Sequence, residues 1–241
     1  MAKIHITKGG KPLAPKIYLY GMSGIGKTTF AVGCPCPLII DLDGGAGRYS
    51  VDIVKVSSSD EILDVLTEVQ EMDYRTIVID TLEALERLIY AEICRKANVD
   101  SIEKAFGGYS KGHIAAGETM GTILDALSAL LPLRKMPVVL GQADVKKITD
   151  PEGEYTQFSP RANKHLSNRV IEWADLVLFA TREQSSATGS GKRVMFTAPT
   201  KRAIAKSRLP LPEQVELSFV PIAAALKQSK AVNEEEEHGG F

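Results

Sequence analysis

Eight residues near the amino terminus have the types and spacing to hold a polyphosphate. Gly21-Met22-Ser23-Gly24-Ile25-Gly26-Lys27-Thr28 fits G-x-x-x-x-G-K-[ST], between an apolar pentad and a helix-like stretch, which is the context the motif requires. Its glycines let the backbone wrap an anion and present consecutive N–H groups to it. Lys27 then reaches the β and γ phosphates, and the Thr28 hydroxyl is placed to ligate Mg²⁺. The nucleotide contacts expected are Gly21, Ser23, Gly24, Ile25, Gly26, Lys27, Thr28 and Thr29, with ATP and Mg²⁺ as the cofactors.

A metal beside a phosphate needs a carboxylate, and the segment TIVID at 76–80 supplies one. An Asp at the carboxyl end of a buried parallel strand lies beside a phosphate loop in this class of sheet, so Asp80 is the second metal ligand expected with Thr28. Hydrolysis also needs a group that orients or deprotonates water. Asp41 and Asp43, at i and i+2 after PLII, would share one face of an extended strand; either could serve, and one could instead cap the Gly44-Gly45 turn.

The elements that position these groups follow from the apolar runs KIYLY (16–20), PLIID (37–41), TIVID (76–80) and PVVLG (137–141), short and nearly continuous, as strands covered on both faces are. Helical patterns fall between them at 27–32, 57–72, 82–97 and 119–133. Alternation of this kind predicts an α/β fold with a mainly parallel, doubly wound sheet. WADLVLFA (173–180) and RVMFTA (193–198), flanking the turn-like QSSATGSGK, predict an antiparallel hairpin that extends it. Two segments break the rhythm and read as functional loops: Phe106 to Glu118, rich in glycine and small residues, and Ala143 to Leu166, which shows neither period.

The 241 residues, 44% hydrophobic, suffice for one core domain, read as 15–229, with an N-terminal extension at 1–14 and an acidic tail at 230–241 expected to lack order. Glu234 to Glu237 account for four negatives of a net charge of −1, which leaves a mildly positive body compatible with nucleic acid. Three cysteines, Cys34, Cys36 and Cys94, make neither a disulfide framework nor a zinc set. No apolar run looks long enough for a membrane span and no secretory leader is visible, so a cytoplasmic location is expected.

Taken together, the phosphate loop, PLIIDLDGG, TIVIDTLEAL, PVVLGQ and the long segment after it resemble the RecA-like recombinase core over about residues 15–210. The closer resemblance is to the short, core-only RecA-like ATPases that phages encode as single-strand annealing or recombination proteins. That resemblance implies a P-loop ATPase acting on single-stranded DNA as a homo-oligomer, filament or ring. It implies that Asp43 activates water in a place where such proteins usually have Glu, and that Gln142 senses the γ-phosphate. It implies that the two irregular loops line a DNA channel, the first through Lys111 and His113, the second through Lys146, Lys147, Arg161 and Lys164, with Arg169 beyond and Tyr155 and Phe158 available to stack on bases. Lys206 and Arg208 resemble the cations that one subunit inserts into its neighbour's ATP site. The tip ending in Phe241 is similar to those of single-strand binding proteins, which makes such a protein, or another replication protein, a possible partner. A small-molecule phosphotransferase and a nucleotide-gated interaction module without turnover are the alternatives that the same phosphate loop allows.

Overall fold

The computed structural model describes residues 14–151, 153–183 and 191–238. The expected extension at 1–14, apart from Ala14, most of the QSSATGSGK turn and the tip ending in Phe241 lie outside the described residues. In chain order the elements are β1 (Ile17–Gly21), α1 (Lys27–Val32), β2 (Pro37–Asp41), β3 (Asp52–Val54), α2 (Ser59–Glu68), β4 (Thr76–Asp80), α3 (Leu82–Ala97), α4 (Lys111–Ser128), β5 (Met136–Asp150), β6 (Gly153–Pro160), α5 (Lys164–Trp173), β7 (Leu176–Arg182), β8 (Arg193–Phe196), β9 (Lys206–Ser207), β10 (Gln214–Glu216) and α6 (Val220–His238).

The main path of the sheet runs β10-β8-β7-β1-β5-β4-β2-β3. From β7 to β3 every neighbouring pair is parallel, while β8 and β10 add antiparallel strands at one edge. The sheet is therefore mainly parallel, and the expected antiparallel extension is present. Strand periodicity sorts side chains onto two faces. Tyr18, Tyr20, Ile77, Ile79, Val139, Val177 and Phe179 pack with α2, α3, α4 and α5, whereas Ile17, Leu19, Val78, Val138, Leu140 and Leu178 pack with α1 and the start of α6. Both faces are covered, which is why these strands read as unbroken apolar runs.

Local chemistry sets the helix starts. Ser58 caps α2 by accepting the Glu61 amide at 3.1 Å, and Thr81 caps α3 at the Ala84 amide. The small residues of the first expected loop turn out to belong to a helix: α4 begins at Lys111, and only 106–110 is irregular, with five successive positive φ values. Gly112 lets α4 start against the preceding turn, since a methyl there would lie 2.2 Å from the Ile102 carbonyl oxygen. The second expected loop is corrected as well. β5 continues past the sheet as far as Asp150 and pairs antiparallel with β6 from Ala143↔Pro160 to Asp150↔Gly153, and α5 follows from Lys164. Charged residues hid the strand period because this hairpin is mostly exposed beyond its root, where Ala143 and Phe158 pack on the core.

Two further expectations change. The stretch 111–133 is long and apolar enough by length and composition to cross a bilayer. It packs on α2, α3 and α5 and buries Ala116, Met120, Ile123, Leu124 and Leu127 on the core. The tail from 230 is helical as far as His238, within α6. Alanine, lysine, glutamine and glutamate propagate a helix that Ile222 and Ala225 anchor by burial.

Candidate nucleotide site

The phosphate loop joins the carboxyl end of β1 to α1. Gly26 holds φ at +113°, a conformation that a side chain would strain. Lys27 is 6% exposed, and its ammonium donates to the carbonyl oxygens of Gly21 (2.9 Å) and Met22 (3.1 Å) and to Gln142 Oε1 (3.0 Å). Burial pulls its pKa below the ordinary lysine value, against the opposing fields of Glu83 and Asp80. All three ammonium protons are thus engaged with neutral acceptors.

Asp80, at the end of β4, is buried and accepts from Thr28 Oγ1 at 2.9 Å. Burial raises its pKa, the Thr28 bond lowers it, and the charges of Asp41 and Asp43 raise it further. A hydroxyl and a carboxylate in contact, inside a concentration of negative charge, fit a hard cation such as Mg²⁺, which takes few protein ligands and completes its shell with phosphate and water. The expected pair Thr28 and Asp80 is brought together.

The two acids after β2 do different work. Asp41 is buried and accepts the amides of Gly44 (2.8 Å) and Ala46 (3.2 Å), the turn-capping alternative. Asp43 lies beyond the strand and is more exposed; it accepts from Thr81 Oγ1 at 2.9 Å and pairs with Arg87 at 2.7 Å. The Asp80–Thr81 peptide between these groups is cis.

Because β5 lies between β1 and β4, Gln142 sits opposite Gly21 in the ladder. Its amide N–H donates to Glu83 Oε1 at 2.9 Å, and its carbonyl oxygen accepts the Arg161 amide at 2.9 Å. Glu83 is 6% exposed, with a pKa raised by burial. Sequence reasoning passed over it because an acid in the first turn of a helix is ordinarily a dipole and solvent feature. It also passed over Arg193 on β8, whose Nη1 would lie 2.9 Å from a methyl on Gly26. No spacing in the sequence links those two residues; the β7–β8 pairing brings them together.

The expected DNA-facing residues are partly assembled. Because α4 precedes β5, α5 precedes β7, and the β5–β6 hairpin extends β5, their relevant ends all lie at the phosphate-loop end of the sheet. Lys111, Lys146, Lys147, Arg161 and Lys164 are exposed there. His113 is engaged, bonded to Tyr90 at 3.1 Å with its ring 6.1 Å from that of His165. Arg169 lies across α4 beside Gly117. Tyr155 lies under Lys201, 5.7 Å from its ammonium. Phe158 is not free to stack on a base, because its ring packs on Phe179 at 4.9 Å.

Lys206 and Arg208 lie at the opposite end of the sheet, where β9 pairs with the amino end of β7. Lys206 donates to the carbonyl oxygens of Ile171 (2.8 Å) and Glu172 (3.4 Å), and Arg208 pairs with Asp175 at 2.8 Å.

Against known proteins, the model of the AAA domain family AAA_24 matches residues 13–209. No curated protein matches the chain. Among solved structures, a KaiC-like protein from the hyperthermophilic archaeon Pyrococcus horikoshii OT3 is 15% identical, with 78% of this chain and 80% of that chain covered and a TM-score of 0.45.

Proposed function

The chain belongs to the AAA domain family AAA_24, a family of P-loop ATPases, and from that premise we propose that it couples MgATP to the binding of single-stranded DNA. The observation that supports this reading most is the bond from Lys27 to Gln142, because Gln142 is also the residue from which the β5–β6 hairpin departs. A phosphate can gain a donor from Lys27 only by displacing an acceptor it already has. The Gln142 side chain is the mobile one of the three, so phosphate binding frees it at the root of a hairpin bearing Lys146 and Lys147. A neutral amide can then bond phosphate oxygen instead.

In this reading Thr28 and Asp80 hold Mg²⁺, which screens the phosphates. Asp43 orients water once it is released from Arg87. Arg193 lies where it can add charge beside the phosphates from the same subunit. Lys206 and Arg208 are too far along the sheet to serve their own phosphate loop, so any role in hydrolysis requires a second subunit, hence a homo-oligomer. The likeness to phage core-only recombinases makes single-strand annealing or recombination the process, with a single-strand binding or replication protein as a further partner.

ATP hydrolysis with no DNA, with single strands and with duplex, using Lys27→Ala as the blank, tests this. Stimulation confined to single strands is expected, with Gln142→Ala retaining nucleotide but losing the response. Stimulation by neither form sinks the DNA reading. One observation favours a second reading, a nucleotide-gated module without turnover: Asp43 is held by both Thr81 and Arg87. Turnover equal to the Lys27→Ala blank under all conditions, with nucleotide binding intact, would select it.

A further inference from the structure

The first two turns of α3 carry two acids three residues apart, and each accepts a backbone amide from one root of the β5–β6 hairpin. Glu83 Oε1 takes the amide of Gln142 at 2.9 Å, and Glu86 Oε1 takes the amide of Asn163 at 3.0 Å. Residues i and i+3 share a helix face, so a single rigid helix holds the chain on both sides of the hairpin. The two roots are also joined to each other, since the Arg161 amide donates to the Gln142 carbonyl oxygen at 2.9 Å. This helix starts directly after Asp80 and Thr81, so the clamp is continuous with the metal-binding strand.

We propose that Glu83 is a positioning residue that makes the hairpin answer to the nucleotide, with Glu86 as its counterpart at the second root. This rests on the reading of Gln142 given above and extends it. Freeing a glutamine side chain does nothing at a distance if its backbone is loose, because the change is absorbed by local torsions. Glu83 removes that slack by fixing the Gln142 main chain, so a displaced side chain must be accommodated along β5. The link is direct: Lys27 to Gln142 side chain, Gln142 main chain to Glu83, and Glu83 through α3 to Glu86 and Asn163.

Two groups beside this link are left unsatisfied. Among the described residues, Glu83 Oε2 and the Tyr18 hydroxyl are buried without hydrogen-bond partners. The Tyr18 oxygen sits over Gly141, where a methyl would lie 2.5 Å away, immediately before Gln142. An acceptor and a donor both unsatisfied beside the Gln142 main chain are what a second arrangement of this segment would pair.

Amide hydrogen exchange on the full-length protein, with and without Mg²⁺ and a non-hydrolysable ATP analogue, tests the assignment. In the wild type the nucleotide should alter exchange both in the phosphate loop and across 143–160. In Glu83→Ala the phosphate-loop response should persist while the hairpin response is lost, and Glu83→Gln, which keeps an acceptor for the Gln142 amide, should restore it. Should Glu83→Ala not fold, Glu86→Ala serves, with the loss centred on 161–164. A hairpin response of wild-type size in the alanine variant overturns the proposal, as does no hairpin response in the wild type. Protection of the phosphate loop alone would leave the ATP site standing, and its absence would strike at the nucleotide reading itself.

Discussion

At the carboxyl end of β1, Lys27 is bonded to two carbonyl oxygens and a side-chain amide, and Arg193 hangs beside Gly26 with no ion pair among the described residues. At the amino end of β7, Lys206 closes off the last carbonyls of α5, and Arg208 is paired with Asp175. Both ends have two cations, yet their partners differ in kind. Neutral acceptors can be given up for a phosphate at small cost, and the buried Lys27, its charge poorly compensated, gains from the exchange. An Arg–Asp pair and a capped helix end are already compensated, so those cations can be recruited only by something that replaces the bonds they have, such as an adjoining subunit. A basic residue near a sheet end therefore becomes a ligand group according to what its neighbours can release.

The largest effect should come from Lys27→Ala. Hydrogen bonds to charged groups are worth about 1.5–3 kcal/mol each, so losing those to phosphate should weaken nucleotide binding at least ~100-fold. Lys206→Ala, in dilute protein, should stay within about twofold of wild type. A fluorescent-nucleotide titration compares them, and equal losses would erase the distinction between the two ends. Asp80→Asn comes next: the gap between titrations in Mg²⁺ and in EDTA should shrink by roughly tenfold if Asp80 and Thr28 hold the metal.

Arg193→Ala should weaken ATP by about fivefold, the scale of one exposed charge, with part restored by lysine. An unchanged affinity removes Arg193 from the phosphate end. Glu83→Gln sharpens the contrast through pH. The folded-state pKa of Glu83 is raised from the ordinary 4.5, so the fold is penalised when Glu83 is ionised, fully above the raised value and not at all below 4.5. The variant should therefore melt a few degrees higher than wild type at pH 8, and the difference should fade as pH drops towards 4.5. A gain that grows on acidification would reverse the sign and refute the burial argument. Smallest is Arg208→Ala, which should cost no more than about 1 kcal/mol in urea unfolding because the arginine is largely exposed. Asp175→Ala should cost more, since the same carboxylate accepts the Lys16 amide at 3.0 Å.

Much of this was legible in the chain itself. The phosphate loop, the strand that ends in Asp80 and the helix at 82–97 lie where the sequence puts them, because each is specified by neighbours in the chain: a motif, an apolar run, a capping threonine. The hairpin at 143–160 was not legible, since beyond its root its strands have no buried face to impose alternation on their residues. The small residues at 111–118 were read as a loop, because glycine and alanine serve turns and tight helix contacts alike, and only the packing against Ile102 distinguishes them.

Local sequence thus determined the α/β class, the phosphate loop and the strand that ends in Asp80, all of which depend on short-range patterns. The tertiary structure alone decided that Asp41 caps a turn while Asp43 meets Thr81 and Arg87, that Arg193 reaches Gly26, that Glu83 holds Gln142, and that Lys206 and Arg208 face away from their own phosphate loop. Each of these depends on strand order and register, which join residues far apart in the chain. No local pattern encodes which distant partner a side chain will meet.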